Sequence, residues 1–316
     1  MSFKNITVAG GGVLGSQIAF QTAFSGFSVK IWLRSEDSIQ RTKPKLERLY
    51  TIYKNELTEA KKNLGKGLSF SRGLIPDSSS VTEADIDKLL ENVERAHKEI
   101  QLTTDFAVAC KDADFIIESM AENPEAKREF YKAIDPFLSE NTIIATNSSS
   151  MVPSQFRDCL SRPENYLAIH FANNIWKSNT AEIMGHDGTS KEAYEAVANF
   201  ASEIKMIPLR LHKEQPGYIL NSMLIPFLSA GEMLLAKEVA DPATIDLTWR
   251  LGTGSPLGPF QILDIVGLTT AYNIVILNPA AKDPNSVQGK IAATLKEKID
   301  QGKTGISAGE GFYKYK

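Results

Sequence analysis

The sequence has little cysteine and no excess of charge of one sign. Two cysteines occur in 316 residues, Cys110 and Cys159, so neither a disulfide framework nor a cysteine zinc site is expected. Lys plus Arg number 35 against 38 Asp plus Glu, and the resulting net charge of −3 argues against nucleic acid as a partner. We therefore expect a metal-free protein of a reducing, cytoplasmic compartment.

The sequence shows neither a long apolar run nor a recognisable secretory signal. No apolar run approaches the roughly 18 residues that span a bilayer, so a membrane is not an expected partner. The first residues, MSFKNITVAGGG, lack a basic region followed by an apolar segment and a cleavage site, so no secretory signal is expected. Hydrophobic residues make up 42% of the chain, which excludes a disordered chain, and its length favours two domains.

Short β-branched runs alternate with helical patterns over about the first two hundred residues. This alternation predicts an α/β domain with a parallel sheet covered on both faces. A polar loop is predicted over Ser69–Thr82, between two charged helices at 38–64 and 82–98. The predicted strands are Ile6–Ala9, Val29–Leu33, Phe115–Glu118, Thr142–Thr146, Leu167–Phe171 and Ala181–Met184.

The pattern changes after about Leu211, where strand-like runs stop. We place a domain boundary near Lys213, in the polar stretch HKEQPG. The prediction is an α/β domain over residues 1–213, followed by an all-α domain over residues 214–316. The predicted helices of the second domain cover 217–237, 241–251, 259–277 and 286–300.

The first predicted strand runs directly into the glycine-rich segment Gly10–Gly15, which reads G-x-G-x-x-G and opens a helical pattern. Gly10 would permit the tight turn, Gly12 would let the backbone approach a pyrophosphate, and Gly15 would let helix and strand pack closely. The N–H groups of the following helix would face the phosphates. This context predicts a Rossmann-type dinucleotide site, against the alternative of a glycine-rich turn that binds nothing.

The end of the second strand indicates which dinucleotide binds. An NAD site usually carries Asp or Glu about twenty residues after the glycines, and Leu33 occupies that place here. Arg34 can pair with a 2′-phosphate and Ser35 can donate a hydrogen bond to it, so NADP is favoured over NAD. Further positive charge follows at Arg41 and Lys43.

Two alternatives to this cofactor preference stay open. Glu36 could reach a ribose if the strand ended one turn later, which would restore an NAD site. Arg34 could also be a solvated surface charge, because arginine is usually exposed.

Polar residues cluster at the ends of the later strands, where an open α/β sheet gathers its chemistry. Thr146–Ser150 follows one strand, His170 ends the next, and Asn221 lies one turn into the helix after PGYIL. A histidine that moves a proton needs a carboxylate on its other ring nitrogen. Glu182 can supply it, because a short loop joins the two strands. A buried His–Glu pair with only a structural role is the open alternative.

These residues resemble the L-3-hydroxyacyl-CoA dehydrogenase family over nearly the whole chain. The segments that carry the likeness are GGGVLG, AENPEAKREFYKAID, TNSSS, IHFANN, AEIMG, QPGYILNSMLIPFL, GTGSPLGPFQILDIVGL and GEGFYKY. The resemblance implies an active site made of Ser149, His170, Glu182 and Asn221. Ser149 lies 21 residues before His170, and Glu182 lies 12 residues after it. The resemblance also implies a homodimer through the C-terminal helices, with a monomer in which these apolar helices form the core as the alternative.

We assign the cofactor contacts to these segments and to the end of the second strand, and the substrate class follows from the family. The assigned residues are Gly10, Gly12, Leu14, Gly15, Arg34, Ser35, Glu122, Lys127 and Asn147. We predict an NAD(P)-dependent dehydrogenase that interconverts 3-hydroxyacyl-CoA and 3-ketoacyl-CoA in fatty acid metabolism. The family's usual HFFNP is HFANN here, which keeps a reductase of a free 3-hydroxy or 3-keto acid as the alternative. A non-catalytic redox sensor that binds the dinucleotide is the third possibility.

Overall fold

A computed structural model describes residues 3–66 and 70–315 of the chain. The chain divides into two compact units, of which the first ends at Ile219 and the second begins at Leu220. The boundary predicted near Lys213 lies slightly earlier, in the segment between the last strand and the first helix of the second unit. Of the predicted loop, Ser69 lies outside the described residues, and 70–82 form turns without a helix or strand.

The first unit is built on an eight-stranded sheet. Its strands are β1 (Asn5–Ala9), β2 (Ser28–Trp32), β3 (Gln101–Thr103), β4 (Phe115–Glu118), β5 (Ile143–Thr146), β6 (Tyr166–Phe171), β7 (Thr180–Gly185) and β8 (Ile207–Arg210). Their spatial order is β3-β2-β1-β4-β5-β6-β7-β8. All described neighbours pair in parallel except β6 and β7, which are antiparallel. The predicted α/β class with a mostly parallel sheet is confirmed.

The two strands at the sheet edges, β3 and β8, were not among the predicted ones. β3 is three residues long and only partly buried, and β8 contains Pro208 and is likewise partly exposed. Edge strands need neither a continuous apolar run nor every backbone N–H, so their sequence signal is weak.

Helices cover the sheet of the first unit. They are α1 (Val13–Phe24), α2 (Glu36–Lys62), α3 (Glu83–Glu99), α4 (Phe106–Cys110), α5 (Pro124–Ile134) and α6 (Lys191–Glu203). The hydroxyl of Ser35 caps α2 by accepting a hydrogen bond from the Ser38 N–H at 3.3 Å. This cap sets the start of α2 at Glu36, so the helix begins shortly after the end of β2.

The second unit is helical, as predicted. Its helices are α7 (Tyr218–Ala236), which starts two residues before the unit boundary, α8 (Pro242–Thr253), α9 (Pro259–Val266), α10 (Leu268–Val275) and α11 (Val287–Asp300). The single helix predicted over 259–277 is wrong, because it breaks in two at Gly267. This glycine has a φ of 93°, a left-handed conformation that ends α9 and begins α10.

Helix α7 also corrects the expectation about long apolar runs. It has 19 residues and a mean hydropathy of 1.5, so length and composition alone would let it cross a membrane. Only 17% of this stretch is buried within the chain. Asn221, Ser222 and Glu232 interrupt the apolar residues, which is why no continuous run stands out in the sequence.

Candidate active site

The three glycines of the fingerprint differ in what surrounds them. A Cβ on Gly10 would lie 2.5 Å from the Ser119 carbonyl oxygen, and one on Gly15 would lie 2.1 Å from the Gly10 carbonyl oxygen. These two positions are therefore glycine because the backbone packs closely there. A Cβ on Gly12 would meet no described atom within 4 Å. The space before Gly12 and the start of α1 thus leaves room for a phosphate, as a pyrophosphate site requires.

A cavity of about 270 Å³ opens beside the glycines. Its lining includes Gly10, Gly11, Gly12, Arg34, Ser38, Arg41, Thr42, Lys45, Ser119, Met120 and Ala121. Arg41 donates to the Ser38 hydroxyl at 2.9 Å, and the Lys45 ammonium donates to the Gly11 carbonyl at 2.8 Å. Three cationic side chains line the cavity, and its described lining contains no Asp or Glu.

The sequence anticipated only part of this basic lining. Arg34 and Arg41 line the cavity as their charge suggested, whereas Lys43 and Glu36 are exposed elsewhere on α2. The Ser35 hydroxyl caps α2 and Ser38 is in the cavity lining, so a cofactor contact of Ser35 stays a prediction. Lys45 was missed, although its position four residues after Arg41 puts both side chains on one helix face.

One predicted cofactor contact, Lys127, belongs to a buried hydrogen-bond network around Glu118. Lys127 is completely buried, and its ammonium donates to the carboxylate of Glu118 at 2.5 Å. A contact of Lys127 with the cofactor stays a prediction. The same carboxylate accepts hydrogen bonds from the Tyr131 and Thr146 hydroxyls at 2.9 and 2.7 Å. This buried network ties together the ends of β4 and β5, from which the site loops emerge.

Asn147 and Leu14 are also engaged with the protein. Asn147 accepts a hydrogen bond from the Phe171 N–H at 3.1 Å and donates to the Ser119 hydroxyl at 3.4 Å. It therefore links the carboxyl ends of three neighbouring strands. Leu14 lies in the first turn of α1 and packs partly against the core of the unit. Cofactor contacts of these two residues stay predictions.

Glu122 binds the loop that follows β5. Its Oε2 atom accepts hydrogen bonds from the hydroxyls of Ser148 and Ser150, at 2.7 and 2.9 Å, and its Oε1 atom accepts one from the Ser149 N–H at 3.0 Å. The loop backbone is thus held by one carboxylate, while the hydroxyl of Ser149 is directed toward His170. A contact of the exposed Glu122 with cofactor stays a prediction.

The antiparallel pairing of β6 and β7 brings the predicted histidine and glutamate together. His170 and Glu182 are direct register partners, and both side chains are buried. The Nδ1 atom of His170 lies 3.0 Å from Glu182 Oε2, and its Nε2 atom lies 3.2 Å from the Ser149 hydroxyl. An ionised carboxylate can only accept, so the proton belongs on Nδ1 and the Nε2 lone pair faces Ser149.

The segment at the start of α7 completes the surroundings of this pair, and it was missed from the sequence. The Tyr218 ring stacks on the His170 ring, with centroids 4.5 Å apart and planes 14° apart. The Ile219 N–H donates to Glu182 Oε1 at 2.8 Å. Burial, and then the charges of Glu122, Glu182 and Glu118, hold the pKa of the Tyr218 hydroxyl well above its usual range.

Asn221, the fourth predicted catalytic residue, lies on α7 within the second unit. Its place beside Ser149 and His170 stays a prediction. Within residues 3–66 and 70–315, no group of three or more His, Cys, Asp or Glu side chains is placed to hold a metal ion.

Comparison with known proteins identifies the family. Family models match both parts of the chain: "3-hydroxyacyl-CoA dehydrogenase, NAD binding domain" over residues 5–215, and the corresponding C-terminal domain over residues 217–315. A solved diketoreductase is 42% identical with a TM-score of 0.84, and the match covers 100% of both chains. The human mitochondrial hydroxyacyl-coenzyme A dehydrogenase is 29% identical over 99% of this chain and 91% of its own length. The (S)-3-hydroxybutyryl-CoA dehydrogenase of Ralstonia eutropha is 25% identical with a TM-score of 0.70, again over 100% of both chains. The chain therefore belongs to the 3-hydroxyacyl-CoA dehydrogenase family, with a nicotinamide dinucleotide site in its first unit.

Proposed function

We propose that this protein interconverts a 3-hydroxyacyl-CoA and the matching 3-ketoacyl-CoA by hydride transfer, with His170 as the general base and acid. The observation that carries this proposal is the hydrogen-bonded chain from Ser149 through His170 to Glu182. It presents one neutral ring nitrogen beside a hydroxyl, and it supports the other nitrogen with a carboxylate. General bases placed in this way contribute about 10²–10⁴-fold to a rate.

In the oxidative direction, His170 Nε2 takes the proton from the 3-hydroxyl of the substrate. The bound nicotinamide supplies the acceptor for the hydride that leaves C3. Ser149 donates a hydrogen bond to the reacting oxygen, and Glu182 stabilises the imidazolium as it forms. In the reductive direction the imidazolium returns the proton to the oxygen. Asn221 is proposed to hydrogen-bond the same oxygen or its neighbouring carbonyl.

A substitution at the histidine tests this mechanism. The His170→Gln variant should lose most turnover, by about 10²–10⁴-fold, because glutamine cannot accept and return the proton. Its affinity for the reduced cofactor should change little, since the proposed role is proton transfer, and fluorescence titration measures that affinity. Wild-type turnover in the variant would remove His170 from the mechanism.

We further propose that NADPH is preferred over NADH. The cavity beside the glycines combines Arg34, Arg41 and Lys45 with the Ser38 hydroxyl, and its described lining has no acid to bind a free ribose hydroxyl. A charge-assisted contact to phosphate is worth about 1.5–3 kcal/mol, or about tenfold to a hundredfold in affinity. The residues present thus fit a dinucleotide whose adenosine ribose carries a phosphate.

The coenzyme preference is tested with paired variants. Arg34→Asp should invert the preference, and Arg41→Ala should weaken NADPH binding about tenfold or more while leaving NADH nearly unchanged. Lys43→Ala is the matched control, because Lys43 is an exposed cation of the same helix outside the described lining. Wild-type use of NADH at least as good as NADPH would overturn the proposal.

One relative favours a second candidate substrate. The diketoreductase is 42% identical to this chain, against 29% for the human hydroxyacyl-coenzyme A dehydrogenase. A dicarbonyl compound without CoA is therefore the alternative substrate class, in line with the HFANN segment. The rate of NADPH oxidation, followed as the fall in absorbance at 340 nm, should be measured with three substrates: acetoacetyl-CoA, acetoacetate and a dicarbonyl ester. Turnover only of the compounds without CoA would select the alternative, and binding without any turnover would select a sensor.

We also propose that the protein is a homodimer of the cytoplasm, joined through its C-terminal helices. In the second unit, α7 and α8 expose large apolar side chains such as Met223, Leu247, Trp249 and Leu251. Exposed apolar patches of this kind mark partner surfaces, and a second copy is the occupant that we expect. Sedimentation equilibrium should give twice the chain mass, whereas a monomer that co-sediments with lipid vesicles would indicate a membrane surface instead.

A further inference from the structure

We infer that the backbone turn at Tyr218 and Ile219 is a strap that positions the His170–Glu182 pair, and that the Tyr218 ring selectively stabilises His170 once it is protonated. The inference rests on the proposed role of His170 in proton transfer. Tyr218 is thus a positioning residue that acts through His170, and the Ile219 N–H is a hydrogen-bond donor that holds Glu182 in place.

The stack between Tyr218 and His170 carries the electrostatic part of this inference. The ring centroids are 4.5 Å apart and the ring planes are nearly parallel, so the face of the phenol lies against the imidazole. A cation within about 6 Å of an aromatic centroid is attracted by the negative face of that ring. A neutral imidazole gains much less from the same contact, so the stack favours the protonated state that forms during oxidation.

Glu182 is held from both sides. One carboxylate oxygen accepts from His170 Nδ1 at 3.0 Å, and the other accepts from the Ile219 N–H at 2.8 Å. A backbone N–H that donates to a carboxylate favours its ionised form and fixes its plane. The strap thus keeps the negative charge directed at Nδ1, where it both sets the tautomer and balances the imidazolium.

The backbone of the strap is strained, and this is the second sign of a functional role. Gly217 has a φ of 81°, and Tyr218 has a φ of 53°. Non-glycine residues are uncommon in this left-handed region, and such strain persists where the surroundings impose it, often at functional sites. The conformation points the Tyr218 ring at His170 and the next N–H at Glu182.

The charged groups around Tyr218 do not compete with this role. The carboxylates of Glu122, Glu182 and Glu118 act on its hydroxyl from the loop after β4, from β7 and from β4. Together with burial they raise the pKa of the phenol, so that the ring stays neutral throughout the working pH range. The surface pair Tyr50 and His97 shows a similar stack, 4.4 Å between centroids, and offers an internal comparison.

The experiment varies the electron density of the ring at constant shape. Tyr218→Phe removes the hydroxyl and keeps the ring, and trifluorophenylalanine at position 218 keeps the shape but weakens the negative face. Tyr218→Phe is the reference for turnover and for the acidic limb of the pH–rate profile, because it lacks the hydroxyl, as the fluorinated residue does, and keeps an unsubstituted ring face. The fluorinated ring should move that limb to lower pH and reduce turnover by about three- to tenfold. Tyr50→Leu, which removes the surface stack, should leave both unchanged.

A second readout does not depend on turnover. NMR titration of the histidine rings follows the protonation of His170, identified by the signal that disappears in His170→Gln, with His97 as reference. The midpoint for His170 should fall when the ring at position 218 is fluorinated, and that of His97 should not. Equal His170 midpoints and equal pH–rate limbs for Tyr218→Phe and the fluorinated ring would overturn the inference. Retained turnover in His170→Gln would instead overturn the proposed function, which the NMR comparison does not test.

Discussion

A buried carboxyl group in the second unit gives a pH-dependent stability that can be predicted from its surroundings. Glu232 lies on α7 and is 5% exposed, and apolar side chains such as Leu235, Phe260 and Leu295 surround it. Its Oε1 atom has no hydrogen-bond partner among the described residues. Burial raises the pKa of this carboxyl to about 7, from 4.5 for a solvated glutamate.

The sign of the effect follows from proton binding in the two states. Below pH 4.5 the carboxyl is protonated both in the folded and in the unfolded chain, so it causes no pH dependence. Between pH 4.5 and 7 the unfolded chain releases the proton while the folded chain keeps it, and the free energy of unfolding falls as the pH rises. Each tenfold difference in proton affinity corresponds to about 1.4 kcal/mol, so the total loss is of the order of 3 kcal/mol.

The assay compares wild type with Glu232→Gln, which has nearly the same shape and no charge. Urea unfolding followed by circular dichroism at pH 5 and pH 8 gives the stability difference between the two proteins at each pH. The buried amide adds a cost that does not depend on pH. Because part of the loss has already occurred at pH 5, the difference should shift by about 2.5 kcal/mol in favour of the variant between pH 5 and pH 8. Glu297→Gln, an exposed change in α11, is the control. An identical difference at both pH values would refute the argument.

Three further predictions concern the cofactor, the active site and the C-terminal segment. Gly12→Ala should leave the melting temperature unchanged and weaken NADPH binding about tenfold or more. Gly15→Ala should instead destabilise the fold, because its Cβ would lie 2.1 Å from the Gly10 carbonyl oxygen. Calorimetry measures the melting temperatures, and fluorescence titration measures NADPH binding. Glu182→Gln should lower turnover about tenfold to a hundredfold and move the acidic limb of the oxidative pH–rate profile to lower pH, and an unchanged limb would contradict the pairing with His170. Asp264→Asn should destabilise the second unit by about 2–4 kcal/mol, because this carboxylate accepts hydrogen bonds from two backbone N–H groups and from the Tyr315 hydroxyl of the C-terminal segment. Limited proteolysis should release that segment earlier in the variant than in wild type.

Most of the architecture could be predicted because buried strands and amphipathic helices leave periodic patterns in the sequence. β4 and β5 are completely buried, and their continuous apolar runs were recognised. The edge strands β3 and β8 bury less, so they leave a weaker pattern. The break at Gly267 was missed because glycine in an apolar stretch is compatible with both a helix interior and a helix end, and only its φ decides between them.

Some active-site contacts could likewise be predicted from the sequence and others could not. His170 and Glu182 could be paired from the sequence because two strands joined by a short loop bring residues equally far from the turn face to face. The contacts of Tyr218 and Ile219 could not, because they depend on a left-handed backbone at a non-glycine residue and on one N–H direction, neither of which leaves a pattern in residue type. The buried contact of Lys127 with Glu118 could not be predicted either, because its position in a familiar segment suggested only a cofactor contact, which stays a prediction. A residue type in a matched segment therefore predicts that the local network is present, and only the geometry decides which member of the network is free to meet a ligand.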